Sequence, residues 1–173
     1  EKENSLHAFG HVHMVQGDSL EGFSDVLYYN GNTKMARMRR HVKLIHQETT
    51  LTTDSLNYDR ARNIAYYFSG GKIVDDLNTL NSNWGQYTPD NHQAIFRGDV
   101  KLVNPNFILT ADTLGYNTET YQSDLVGPTQ ILYEEETTIL STNGWYNTQT
   151  ELSMLLDRSH IIHVDGMTLT GDT

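Results

Sequence analysis

The chain has 173 residues, 37% of them hydrophobic, no cysteine and a net charge of −10 with histidine neutral. That length supports one domain with a sizeable core, and the acidity disfavours nucleic acid and anionic membrane surfaces, which bind through basic groups. The missing cysteine excludes disulfides, thiol catalysis and cysteine-based zinc sites, and no apolar run approaches the about 18 residues that suggest a membrane-spanning helix.

The chain opens at Glu1 rather than methionine, which reads as a processed or trimmed chain whose export signal has been removed. Residues 25–29, DVLYY, supply the end of a phrase that returns later. Residues 41–47, HVKLIHQ, alternate Val42 and Leu44 with Lys43 and Ile45. Residues 50–59, TLTTDSLNYD, are rich in Thr and Tyr, and residues 63–70, NIAYYFSG, are aromatic and β-branched. Such runs, separated by Gly, Asn and Asp, predict strands, and no window shows helical periodicity. The phrase LTTDSLNYD (51–59) returns as LNSNWGQY (80–87), LTADTLGYN (109–117) and LSTNGWYN (140–147), and LTGDT (169–173) breaks off within it.

The period is close to 29 residues in five columns. Tyr29, Tyr58, Tyr87, Tyr116 and Tyr146 form one, and Leu51, Leu80, Leu109, Leu140 and Leu169 another. Leu44, Ile73, Leu102 and Ile131 form a third. Small residues recur at Ala36, Ala65, Ala94, Ser123 and Ser153, followed two positions on by Met38, Tyr67, Phe96, Leu125 and Leu155. A repeat of this length dictates architecture: each unit cannot bury its apolar face alone, and stacked units share a continuous core.

The expected fold is all-β, an elongated open β-jellyroll or solenoid-like stack over residues 1–173, a single domain that stops within a repeat. With one rung per unit and about 4.8 Å per rung, its length would be about 25–30 Å. Leu109 and Ala111 have one strand parity and Leu114 and Tyr116 the other. Burying all four requires a bulge or corner near Asp112, and Asp25, Asp54 and Asn83 hold the same place in other copies. The stack's unpaired edge strands invite end-to-end pairing.

Chemistry-bearing groups are sparse. His11 and His13 share a strand face, His160 and His163 lie far off in sequence, and surface histidine is the better reading than a metal site. The Asp/Asn column reads as corner formation rather than a cation ladder. Lys43, Lys72 and Lys101 keep the period opposite the apolar column. They read as a solvated face, or as a strip facing phosphate or sugar-acid groups. The tyrosines read as core, or as a platform for carbohydrate. No nucleophile elbow, P-loop or dinucleotide fingerprint occurs, so no catalytic residue, cofactor or metal is expected.

GDVKLVNPNFILTADTLGYN (98–117), HVKLIHQETTLTTDSLNYD (41–59) and AFGHVHMVQGDSLEG (8–22) resemble the OstA/LptA-like family. Its pattern is a Gly-x-Val-x-hydrophobic strand, a short turn and a strand ending in Ala-Asp-x-hydrophobic-x-Tyr. The resemblance runs from about Ala8 to Thr173. It implies a periplasmic β-jellyroll that carries lipopolysaccharide towards the outer membrane, holds the acyl chains inside and joins other jellyrolls, or copies of itself, end to end. The residues this would place against lipid are Leu44, Ile73, Leu102, Ile131, Leu51, Leu80, Leu109, Leu140, Tyr67, Phe96 and Leu125. Two rival readings stand beside it: a structural or glycan-binding β-solenoid with a sealed core, and a β-helix enzyme acting on polysaccharide through carboxylates outside the repeat.

Overall fold

The structure is a computed structural model that describes residues 4–17 and 19–171. Its strands are β1 (Ser5–Gln16), β2 (Leu20–Asn30), β3 (Met35–His46), β4 (Thr49–Asp59), β5 (Ile64–Tyr67), β6 (Gly71–Val74), β7 (Thr79–Ser82) and β8 (Trp84–Thr88). A short 3₁₀ turn, Pro89–Asn91, leads to β9 (Gln93–Val103), β10 (Phe107–Asn117), β11 (Gln122–Tyr133), β12 (Thr137–Asn147), β13 (Ser153–Leu156), β14 (Ser159–His163) and β15 (Thr168–Gly171). All pairings are antiparallel, and the strands form one continuous sheet. β5 and β6 are two halves of one strand against β4, β7 and β8 two halves against β9, and β13 and β14 two halves against β12.

Every long strand changes face at its middle. Ala111 and Thr113 of β10 have partners on β9 and β11, while Asp112 stands opposite two residues on each side, Gly98–Asp99 and Gly127–Pro128. Asp54 likewise stands opposite Arg40–His41, and Asp25 opposite Gly10–His11. Two residues against one is a β-bulge, which bends the strand and reverses which parity faces in. Gly98 (φ 73°) and Gly127 (φ 84°) supply the left-handed backbone that starts the bulge. A buried serine closes several corners: Ser24, Ser82 and Ser141 each donate to the carbonyl two residues on, at 3.0, 3.0 and 2.9 Å. The kink predicted at the Asp/Asn column is therefore present, and its glycine half sits on the neighbouring strand.

The bends divide the sheet into two walls facing one another. Wall 1 carries the turns at 47–48, 75–78, 104–106 and 134–136; wall 2 carries those at 31–34, 60–63, 89–92, 118–121 and 148–152. At four of the five column tyrosines, all but Tyr87, the next residue makes the wall 2 turn. The Oδ1 atoms of Asn30, Asp59, Asn117 and Asn147 each accept from the two backbone N–H groups two and three residues on. Each 29-residue unit makes two antiparallel rungs rather than one. The interior ladder thus runs through twelve residues from Met14 to Leu169, about 50 Å at the usual rung spacing and twice the length expected from sequence.

Candidate functional site

The interior of wall 1 is one aliphatic ladder. Leu44 pairs with Leu51, then Ile73, Leu80, Leu102, Leu109, Ile131 and Ile139 follow on successive strands. Two columns that look separate in sequence thus interleave, because each repeat sends one strand up and one down. The interior of wall 2 has two ladders. One alternates large and small: Tyr29, Ala36, Tyr58, Ala65, Tyr87, Ala94, Tyr116, Ser123, Tyr146. The other contains Met38, Leu56, Tyr67, Gly85, Phe96, Leu114 and Leu125. The alternation gives each ring the space that its small neighbours leave. A Cβ on Gly71 or Gly85 would come within 2.5 Å of the Tyr67 ring.

Leu44, Leu51, Leu80, Leu102, Leu109, Ile131, Tyr67, Phe96 and Leu125 are buried in one core cluster, and Ile73 packs against it half-buried. Leu140 is not with them. It is 38% exposed on the outer face, paired with Gln130, while Ile139 occupies the interior rung opposite Ile131. The fourth unit is one residue longer before this strand, so the step from Leu109 that keeps the face is 30 residues, matching Tyr116 to Tyr146. A step of 31 reverses the parity. Leu114 and Leu56, both fully buried, also belong to this interior and fall in no column noted from sequence.

Between the walls lies a cavity of about 40 Å³ lined by Leu44, Leu51, Ile73, Leu80, Tyr87, Ala94, Phe96 and Tyr116, among others. That volume is far too small for an alkyl chain. Polar contacts close the mouth above it. Tyr87 Oη lies 3.2 Å from His46 Nδ1 and 3.5 Å from Thr118 Oγ1. Tyr116 donates to Asp75 at 3.3 Å and accepts from Asn78 at 3.2 Å. Asn78 also reaches Thr148 at 3.4 Å and accepts from Asn104 at 3.1 Å. Further along, Tyr133 donates to Glu151 at 3.0 Å, Asn106 donates to the same carboxylate, and the rings of Phe107 and Tyr146 meet at 4.7 Å. Tyr87, Tyr116 and Tyr146 belong to the tyrosine column, but their partners His46, Asp75, Asn78 and Thr118, and Glu151 further along, lie in turns and strand ends where the repeat varies, so no column in the sequence points to them.

Burial raises the tyrosine hydroxyls above their ordinary range: Tyr67, bonded to Ser82 at 2.5 Å, is pushed up to about 12. Tyr116 and Tyr146 are raised for the same reason. Burial, followed by the charge of His92, lowers His46, which favours its neutral form in the seam. Ser123 Oγ and Tyr146 Oη are buried without a hydrogen-bond partner among the described residues.

Other sequence candidates separate from this interior. The tyrosine column faces inward, which removes it as a platform for carbohydrate. Lys43, Lys72 and Lys101 are exposed on the outer face of wall 1, in one row with Thr52 and Asn81 between them. His13 stacks on Phe23 at 4.5 Å and meets Glu21 at 2.9 Å, and His163 lies between Glu136 and Asp165. Among the described residues no three His, Asp or Glu side chains are grouped to hold a metal ion.

Comparison with known proteins agrees with this architecture. A search of curated proteins gives no match. Among solved structures the fold is similar to LptH, the LptA-homologous periplasmic component of the lipopolysaccharide transport device of Pseudomonas aeruginosa. The two share 12% identity over 57% of this chain and 76% of that one, with a TM-score of 0.54. The family described as OstA-like protein matches residues 1–112. That span carries the bulged strands β1 to β4 and β9, the aliphatic ladder from Leu44 to Leu109 and the first three column tyrosines, and the chain belongs to the OstA-like family.

Proposed function

We propose that this chain is a periplasmic lipopolysaccharide-transport protein that carries the lipid's acyl chains between its two walls. The observation that carries the reading is the continuous apolar interior, about 50 Å long at the usual rung spacing and closed at its mouth by side chains rather than by a backbone ladder. Each buried methylene gains about 0.8 kcal/mol, so a dozen give about 10 kcal/mol before entropic costs. A seam hydrogen bond contributes about 1 kcal/mol net, so lipid burial outweighs a handful of them. Loading therefore parts the walls: the Tyr87, Tyr116 and Tyr133 hydroxyls leave His46, Asp75 and Glu151, and acyl carbon replaces wall-to-wall contact.

Lys43, Lys72 and Lys101 supply fixed cations outside wall 1 for the lipid's anionic groups. Other jellyrolls of the transport bridge, or a second copy, would pair with the edge strands β1 and β15, where Leu6 and Leu169 stand largely exposed in the interior ladders. The role is carriage, not catalysis.

Photoreactive residues at Leu44, Leu102 and Leu109 crosslink purified lipopolysaccharide on this account, and the outward control Leu140 does not. The second reading, a scaffold with a sealed core, draws on the complete burial of Leu109 and Leu114. Folded protein that crosslinks nowhere would support it over lipid carriage.

A further inference from the structure

The outer face of wall 2 carries a basic cluster that the interior does not use. In a chain of net charge −10, strand β3 alone holds Arg37, Arg39, Arg40 and Lys43. Arg37 and Arg39 stand two residues apart on the outer face, and no carboxylate pairs with Arg37, Arg39 or Arg40 among the described residues. Arg39 is held in place: its guanidinium donates to the carbonyls of Met38 (2.7 Å) and Leu56 (3.0 Å) and to Asn57 Oδ1 (2.9 Å). Burial and the adjacent charge of Arg37 pull its pKa below the ordinary value. Three of its five N–H groups are thereby spent on positioning, and the others remain for a ligand.

Aromatic rings border the cluster. Tyr28 pairs across the sheet with Arg37 and packs edge-on against His7 and Phe9. The exposed Phe68 ring lies 5.7 Å from the Arg39 guanidinium. A surface depression of about 510 Å³ includes Tyr28, Arg39, Arg40, His41 and Asp54. Of two carboxylates nearby, Asp25 is taken by His41 at 2.8 Å, and Asp54 lines the depression with Arg39 and Arg40.

A second feature points the same way. Strands β1, β9 and β11 start their bulges with Gly10, Gly98 and Gly127, all at positive φ. Strand β3 puts Arg40 in that place at φ 63°, with His41 following at φ 48°. A long side chain in the left-handed region is strained, and such strain collects where a residue is kept for function.

We propose that Arg37, Arg39 and Arg40 form a binding site for a phosphorylated sugar, the guanidinium groups taking the phosphate and the Tyr28 and Phe68 rings bordering the sugar's apolar CH face. The chemistry is bidentate guanidinium–phosphate pairing beside an aromatic wall. The site lies outside the acyl-chain interior and stands whether or not the walls accept lipid.

The test is calorimetric titration of the whole chain with glucose 6-phosphate, inorganic phosphate and glucose, with deacylated lipopolysaccharide as competitor. Glucose 6-phosphate binds best and glucose does not bind. Competition assigns the site to the lipid's sugar head, and its absence to a free sugar phosphate. Arg37→Gln, which removes a side chain with no hydrogen bond among the described residues, weakens binding about tenfold, as losing a charged hydrogen bond does. Arg40→Gly also weakens binding while raising Tm by about 2 °C, because strain is relieved. Equal affinity in both variants and the parent, or equal binding of glucose, overturns the proposal. Since the probes carry no acyl chain, neither result depends on interior crosslinking.

Discussion

The two walls bury their apolar side chains by different means. Wall 1 offers leucine and isoleucine on rung after rung, from Leu44 to Ile139, with little change in side-chain size. Wall 2 alternates tyrosine with alanine or serine, and sets Gly85 between Tyr67 and Phe96. Wall 1 is thus a smooth aliphatic strip, which suits an alkyl chain at any position along it. Wall 2 is a row of fitted rings, and three of its tyrosines or their neighbours reach the turns of wall 1 to close the mouth. The seam is polar and local, while the strip behind it is apolar and continuous.

The largest expected effect comes from truncating the buried leucine of either wall. Leu109→Ala and Leu114→Ala, both at 0% exposure, each cost about 3 kcal/mol in urea unfolding; a clear difference between them would show that one wall dominates the core. Alkali acts on wall 2 through Tyr67. The folded pKa of Tyr67 is raised to about 12, so its contribution is complete below the unfolded value near pH 10 and is lost as pH rises to about 12, about 2–3 kcal/mol in all. A pH titration of urea midpoints, repeated with Tyr67→Phe, measures that share. Gly85→Ala costs about 2 kcal/mol because its methyl meets the Tyr67 ring; adding Tyr67→Leu recovers part of it.

Smaller effects separate latch from filler. Tyr116→Phe loses bonds to Asp75 and Asn78 and about 1–2 kcal/mol. Tyr146→Phe removes a hydroxyl that has no partner among the described residues and leaves stability unchanged or slightly higher by thermal unfolding. Leu140→Ala, outside both walls, stays within about 0.5 kcal/mol.

Much of this comparison is visible in the sequence, and its limits have physical causes. The 29-residue period and the opposite parities of Leu109 and Leu114 suffice to predict strands, a corner at Asp112 and an apolar interior. The glycine half of the corner lies on the adjacent strand, at Gly98 and Gly127, so a reading along one phrase misses it. The pairing of an up strand with a down strand merges columns such as Leu44 and Leu51, which is why length per repeat doubles. Leu140 misled because a one-residue insertion moves the next leucine to the outer face, and Ile139 takes its place. The seam through His46, Asp75, Asn78 and Glu151 belongs to turns brought together only by folding the sheet on itself. Arg40 is visible as a residue, but its left-handed backbone is not.

The claim that the walls part to take in lipid is tested most directly by a distance across the mouth. The chain has no cysteine, so spin labels can be placed on cysteines substituted at Glu48 and Glu119, exposed turn residues on opposite walls beside the His46–Tyr87–Thr118 contact. Pulsed dipolar spectroscopy should give one short, narrow distance in the free protein and a longer one with saturating lipopolysaccharide. A distance that does not move when the lipid is bound would contradict the account and leave the interior as a permanently closed core.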